Sequence, residues 1–169
     1  YAAPGGIDSI HDAIVRVLGY DLVVNLALGV AMGRSLKLPT DTPRGSTPYW
    51  LQAIFCATLA EKLAKQIPAE QRPRPGLVYL SGLLHNFGYL ILAEVFPPYF
   101  SFVCRYLEAN PHVGHNVFEN HLIGIDRDRL SAWLMDLWTM PEEVCVALRY
   151  QNDPGYEGIE HEYANLLFV

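Results

Sequence analysis

A histidine followed by a short polar residue, His85-Asn86, interrupts an otherwise apolar segment of the chain. An imidazole can ligate a divalent metal or move a proton, and both roles recur in catalytic sites. A single histidine on an apolar helix is, however, more often a core residue whose ring nitrogens are hydrogen-bonded. We therefore expect His85 to be a core histidine, with a ligand role as the alternative.

A second group of ionisable residues comprises His112, His115, Glu119 and His121. His115 and Glu119 are four residues apart and would share one face of a helix. The spacing lacks the His-Glu-x-x-His pattern of zinc proteases. We therefore predict a surface loop and the start of a helix here, and no metal site.

The composition narrows the class of protein. The three cysteines, Cys56, Cys104 and Cys145, are far apart and odd in number. This is typical of reduced, buried thiols in a cytoplasmic protein and not of a disulfide framework. The formal net charge of −6 disfavours nucleic-acid binding, which depends on clustered Lys and Arg.

One apolar stretch, residues 77–96, is long enough to raise the question of a membrane span. It contains Ser81, His85, Asn86 and Glu94, which would be costly to place in lipid without partners. We predict a buried core helix that is broken near its middle, and no contact with a membrane.

Helical periodicity recurs along the chain, and strand-like alternation bounded by hairpin turns is not evident, so the predicted class is all-α. Thr47 and Pro48 are predicted to be the cap and first residue of one helix. Other helices are predicted at about 7–18, 21–36, 115–123, 127–138 and 141–151.

Two sets of apolar residues are predicted to pack the helices together. The aromatic side chains at helix-packing spacings are expected to be core or interhelical anchors, and not a base-stacking platform. These are Tyr49, Trp50, Trp133 and Trp138. In the helix that begins near Pro48, the predicted core-facing residues are Leu51, Ile54, Phe55, Leu59, Leu63 and Ile67.

Five segments, in the right order along the chain, carry a family resemblance. They are Ile7-Asp-Ser-Ile-His-Asp-Ala-Ile-Val-Arg-Val-Leu-Gly19, Tyr49-Trp50-Leu-Gln52, the His85-Asn86 segment, Gly124-Ile-Asp-Arg127 with Ala132-Trp-Leu and Trp138-Thr-Met-Pro141, and Ala147-Leu-Arg-Tyr-Gln151-Asn152-Asp-Pro154. Together they resemble the HDOD (HD-related output) domain of the HD phosphohydrolase superfamily. The resemblance implies one HD-superfamily helical bundle over residues 1–169, without the helical subdomain that usually comes first, so we expect a truncated N-terminus.

Active members of the superfamily hold one or two divalent metals with His and Asp side chains. Carried over position by position, the resemblance implies that only one ligand of six is retained. The six positions are Gln52 (for His), His85 (retained), Asn86 (for Asp), Arg127 (for His), Gln151 (for His) and Asn165 (for Asp). Asn and Gln offer only a neutral carbonyl oxygen. We therefore expect no metal, no cofactor and no enzymatic activity.

Arg127 leaves two interpretations open. A guanidinium about 5 Å from a divalent ion would be repelled by roughly 5–7 kcal/mol at an effective dielectric near 20. Arg127 could instead bind a phosphate or carboxylate in the degenerate cleft, or form a salt bridge with Asp126, Asp128 or Asp136. Gln52, Asn86 and Gln151 either form a polar cluster that fills the old cleft or face water separately.

The function that the resemblance implies is a non-catalytic regulatory or output module of bacterial signal transduction. It would bind a signalling protein and be joined to receiver domains, as in response regulators, or to cyclic-dinucleotide domains. One alternative is a sensor of nucleotides or other anions that uses the degenerate cleft. A residual metal-dependent phosphohydrolase is the third candidate.

Overall fold

The computed structural model describes Ala27 and residues 48–168. The chain divides into two compact units, Tyr1–Leu36 and Lys37–Val169. The predicted helices at about 7–18 and 21–36 lie outside the described residues, apart from Ala27. The prediction of a single domain over residues 1–169 therefore stays a prediction.

Residues 48–168 form helices joined by short turns, with no strand among them, and the all-α prediction is confirmed. The helices are α1 Tyr49–Ala64, α2 Pro75–Leu84, α3 Phe87–Val95, α4 Pro97–Ala109, α5 His115–Ile123, α6 Arg127–Leu137, α7 Glu142–Tyr150 and α8 His161–Leu167. The bounds of α5, α6 and α7 agree with the predicted helices to within a residue. Pro48 precedes α1 instead of opening it.

Helices α2 and α3 are the predicted core segment, broken at His85-Asn86. Helix α2 packs against α1, α7 and α8, and α3 packs against α4 and α6. The segment Pro75–Val95 is long and apolar enough to cross a membrane, but 61% of its most apolar window is buried inside the protein. This burial favours a core role for the two helices.

The turn between α5 and α6 determines where the first residues of α6 lie. Gly124 follows α5 with a φ of 83°, a left-handed conformation that glycine adopts without strain. Asp126 caps α6, because its side chain accepts a hydrogen bond from the backbone N–H of Arg129 at 2.9 Å. These two residues fix the start of α6, and with it the positions of Arg127 and Asp128.

The predicted core-facing stripe of α1 was wrong at four of its six residues. Leu51, Ile54, Phe55 and Leu59 are exposed, whereas α1 buries Tyr49 and a row of small residues. That row is Ala53, Ala57, Ala60 and Ala64. The reason is a close approach to α2, where a Cβ on Gly82 would lie 2.5 Å from the Cα of Ala57. Large side chains do not fit between backbones at that separation.

The predicted aromatic anchors divide into two groups. Trp138 packs edge-on against Phe87 with ring centroids 5.7 Å apart, and Tyr49 packs against Trp50 at 5.0 Å. Trp133 is 67% exposed on α6, so its predicted core role was wrong. The prediction rested on spacing alone, which does not say which face of α6 meets the core.

Replacing Gly82 by alanine should destabilise the protein by about 1–3 kcal/mol, because the new methyl group overlaps the backbone of α1. Gly76→Ala is the matched control in the same helix, since a Cβ there meets nothing within 4 Å. The control should be neutral or stabilising by up to about 1 kcal/mol. Urea unfolding measures both changes, and equal effects would contradict the close approach.

Candidate functional site

Five of the six residues that the resemblance aligns with metal ligands line one small cleft. Its volume is about 260 Å³. It lies where the break between α2 and α3 meets α1, the first turns of α5 and α6, the end of α7 and α8. The lining residues are Gln52, His85, Asn86, His115, Arg127, Asp128, Gln151, Asn152 and Leu167.

Gln151, the residue after α7, holds the break between α2 and α3. Its side-chain Nε2 donates to the backbone carbonyl of His85 at 2.8 Å and to that of Leu148 at 3.2 Å. The His85 ring contributes from the other side, with Nδ1 2.8 Å from the carbonyl of Gly82. The break therefore relies on one buried amide that aligns with a metal-binding histidine in the resemblance.

Asp128 lies at the centre of the cleft and is buried. Its carboxylate accepts hydrogen bonds from Gln151 Nε2 at 2.9 Å and from Asn152 Nδ2 at 2.6 Å. The Nε2 atom of His115 lies 3.3 Å from the same carboxylate. A carboxylate is acceptor-only when ionised, and amide groups supply the donors that it needs. Gln151 thus belongs to a polar cluster that lines the cleft and does not face water separately.

The sequence reasoning missed three members of this cluster. Asp128 was considered only as a salt-bridge partner of Arg127, and Asn152 was not considered. His115 does begin a helix, but it was assigned to the surface and is instead half-buried beside Asp128. One signal was available, because Asp128 and Asn152 each directly follow a position that aligns with a ligand.

Arg127 is held by Glu119 and not by any of the three predicted aspartates. Glu119 is fully buried on α5, and one of its oxygens contacts both Nε and a terminal nitrogen of the guanidinium. Its other oxygen accepts from the backbone N–H of Arg127 at 2.8 Å. The guanidinium carbon also lies 5.1 Å from the centre of the Tyr89 ring. The assignment of Glu119 to a surface helix start was therefore wrong.

The six predicted positions are not all brought together. Gln52, His85, Asn86, Arg127 and Gln151 line the cleft, although Gln52 is largely exposed at its edge. Asn165 is exposed on α8 and does not line it. Tyr163 and Ala164 are the buried residues of this short helix, and a helix turns about 100° per residue, so its next side chain points elsewhere.

Burial sets the protonation of His85. Desolvation lowers the pKa of its imidazole below the ordinary value, because the charged form loses water. The hydrogen bond to Gly82 and the charge of Asp128 act in the opposite direction but do not reverse the shift. Burial therefore favours the neutral form of the ring in the cleft.

The residues around the cleft do not fit the metal centre of an active phosphohydrolase. Within Ala27 and residues 48–168, no group of three His, Cys, Asp or Glu side chains is arranged to hold a metal ion. The carboxylate of Asp128, the strongest potential metal ligand in the cleft, is already surrounded by two amides and an imidazole. Asn86, in place of a bridging carboxylate, offers a neutral oxygen.

The protein is a helical bundle whose central break lies at a histidine, and five of the six residues aligned with metal ligands surround that break. This arrangement is typical of relatives of the HD-superfamily phosphohydrolases. The family model of the HDOD domain matches residues 1–154, and the chain belongs to the HDOD family.

Solved structures share the fold. The chain is 54% identical to a protein from Marinobacter aquaeolei VT8 provisionally named as a signal transduction protein, with a TM-score of 0.79, over 97% of this chain and 36% of that one. An HDOD domain protein of unknown function from Geobacter sulfurreducens is 22% identical, with a TM-score of 0.67, over 99% and 55%. A protein from Shewanella amazonensis SB2B, provisionally named as a phosphohydrolase, is 21% identical with a TM-score of 0.67, over 96% and 57%.

An uncharacterized protein of Treponema pallidum (strain Nichols) is 26% identical over 144 residues, which are 85% of this chain and 27% of that protein. The chain thus spans only part of each of these proteins. The similarities at 21% and 22% identity show the fold alone.

Removing the buried charge that faces Arg127 should be strongly destabilising. Glu119→Gln leaves a guanidinium inside the protein without a counter-charge, which costs about 3–5 kcal/mol. Glu61→Gln is the matched control, since Glu61 pairs with Lys65 at 2.9 Å on the surface and its loss costs at most about 1 kcal/mol. Chemical denaturation compares the two, and losses of similar size would contradict the buried pair.

His85 should make the protein less stable in mild acid. Its folded-state pKa is below the unfolded value of about 6.5, so the unfolded state binds more protons as the pH falls through about 6.5. The contribution of His85 to the free energy of unfolding should therefore fall from pH 7 to pH 5. The variant His85→Asn keeps an N–H donor but does not titrate, and its stability should fall less over this range. Parallel wild-type and variant curves would contradict the shift.

Proposed function

We propose that this HDOD domain is a non-catalytic regulatory module of bacterial signal transduction that acts by binding another protein. The observation that carries the proposal is the cleft itself. Its central carboxylate, Asp128, is bound by amide donors from Gln151 and Asn152 instead of facing an open metal position. Hydrolysis in the superfamily depends on a metal that activates water, and the donors for that metal are missing.

Loss of metal-coordinating side chains, and not repulsion from Arg127, is what disfavours a metal in the cleft. The guanidinium and Glu119 form a buried pair whose charges largely cancel. The repulsion of roughly 5–7 kcal/mol expected for a free guanidinium is therefore an overestimate. The replacement of carboxylate and imidazole by amides at Asn86 and Gln151 remains, and that change removes coordinating electron pairs.

The alternative of an anion sensor finds less support. Arg127, the cation that would bind the anion, already donates to Glu119 through two of its nitrogens. The carboxylate of Asp128 lies in the same cleft and would repel an anion.

Two further observations support a signalling role based on protein contacts. The chain belongs to the HDOD family, and the Marinobacter protein that it resembles at 54% identity is provisionally named for signal transduction. Helix α6 also exposes Trp133 and Leu137, large apolar side chains of the kind that protein interfaces bury. No disulfide joins Cys56, Cys104 and Cys145, which is consistent with action in the cytoplasm.

We predict that the purified protein binds no stoichiometric Mn²⁺, Fe²⁺, Mg²⁺ or Zn²⁺ and does not hydrolyse a generic phosphodiester such as bis-p-nitrophenyl phosphate with added manganese. Metal analysis and a colorimetric assay measure these two properties. Stoichiometric metal together with metal-dependent turnover would overturn the proposal.

A variant that restores donors provides the matched positive control. Gln52→His, Asn86→Asp and Gln151→His together return two imidazoles and one carboxylate to the cleft. Provided that circular dichroism shows a folded protein, its affinity for Mn²⁺ should exceed that of the wild type at least about tenfold, because three stronger donors are supplied. Equal affinities would show that the absent donors are not what prevents binding.

A further inference from the structure

The outer face of α6 exposes large apolar side chains and also carries charges in a defined pattern. Trp133 is 67% exposed and Leu137, one turn later, is 77% exposed. These two side chains line a groove of about 410 Å³, and the other described residues that line it are Ile91, Leu130 and Leu134. Large exposed side chains next to an apolar groove mark a surface that another protein covers.

The charges on this face lie at the wrong ends of the helix for local stability. Arg129 is in the first turn of α6 and Asp136 is in the last turn. The helix dipole favours acidic residues near the N-terminus and basic residues near the C-terminus, which is the opposite arrangement. Among the described residues, neither side chain forms an ion pair within 4.0 Å. An intermolecular partner would account for this placement.

Helix geometry shows which partner fits. Seven residues make almost two full turns, so Arg129 and Asp136 lie within about 20° of each other around α6. Arg129 is about 6 Å before Trp133 along the axis, and Asp136 is about 4.5 Å after it, at a rise of about 1.5 Å per residue. The face is therefore positive on one side of Trp133 and negative on the other, at nearly equal distances.

We propose that this face binds a second copy of the chain, with the two α6 helices antiparallel and Trp133 at the two-fold axis. The two-fold axis is perpendicular to α6, so the two helices run in opposite directions. The long edge of the face that carries Arg129 and Asp136 then lies beside the same edge of the other copy. Arg129 of each copy then faces Asp136 of the other, which gives two reciprocal ion pairs. Trp133 and Leu137 of each copy enter the apolar groove beside the other α6. The inference rests on the proposed function in that it names the partner of an interaction module.

Sedimentation equilibrium of the 169-residue chain over a range of concentrations tests the proposal. We expect a monomer–dimer equilibrium whose dissociation constant rises with salt, because exposed ion pairs contribute to it. Leu137→Glu should weaken dimerisation at least about a hundredfold, since it places a charge at the apolar contact in both copies. Phe55→Glu is the matched control on α1, where the side chain is 66% exposed, and it should leave the dimer unchanged.

Exchanging the charges of Arg129 and Asp136 distinguishes the proposed antiparallel dimer from dimers of other geometry. Arg129→Glu should weaken dimerisation at least about tenfold, because each copy then sets two acids opposite each other. Arg129→Glu combined with Asp136→Arg should restore the wild-type dissociation constant to within about threefold. Both changes agree with the helix dipole, so the variants should fold.

A monomer at every concentration would overturn the proposal, and so would a dimer that is insensitive to Leu137→Glu or one that the charge exchange does not restore. A monomer that binds no metal would contradict only the proposed dimer, and the proposed absence of hydrolysis would be unaffected. A dimer with metal-dependent turnover would contradict the proposed absence of hydrolysis and support the proposed dimer.

Discussion

The buried carboxylate of Asp128 is the constraint on which the cleft depends. An ionised carboxylate inside a protein is stable only when donors surround it, since it has lost its water. Here the donors come from the end of α7 and the start of α5. The same amide of Gln151 also bonds the carbonyl of His85 at the break between α2 and α3. One carboxylate thereby joins α5, α6 and α7 to the central break between α2 and α3.

A second buried carboxylate, Glu119, acts beside the first. It binds both the side chain and the backbone N–H of Arg127, and so it attaches α5 to the first turn of α6. A divalent metal would draw ligands from several helices together by coordination. In this protein hydrogen bonds between side chains perform that structural task. On the proposed function, these hydrogen bonds preserve the architecture of the bundle without activating water.

Helix α6 connects the cleft to the outer surface. Its inner side carries Asp128, Ser131 and Met135, all of them buried, and its outer side carries Trp133 and Leu137. Ser131 strengthens the inner attachment, because its hydroxyl accepts from the backbone N–H of Gly88 on α3 at 2.6 Å and donates to the carbonyl of Arg127 at 2.9 Å. A helix held this firmly on one side presents a rigid ridge on the other. Rigid surfaces lose little entropy when they bind.

The amino-acid sequence determined the helical class, most helix boundaries and the break at His85-Asn86, because these depend on local properties such as apolar periodicity, proline and capping residues. The resemblance of its motifs to the HDOD family implied the changed ligand positions. Only the tertiary structure decided that α1 buries alanines instead of leucines, that Arg127 pairs with Glu119, that Asp128 is the centre of the cleft and that Asn165 lies outside it. The burial of α1 and the position of Asn165 depend on how closely two helices pack and on the rotation of each helix about its own axis. The partner of Arg127 and the position of Asp128 depend on competition among neighbouring charged groups. Periodicity along a single helix contains no information about either.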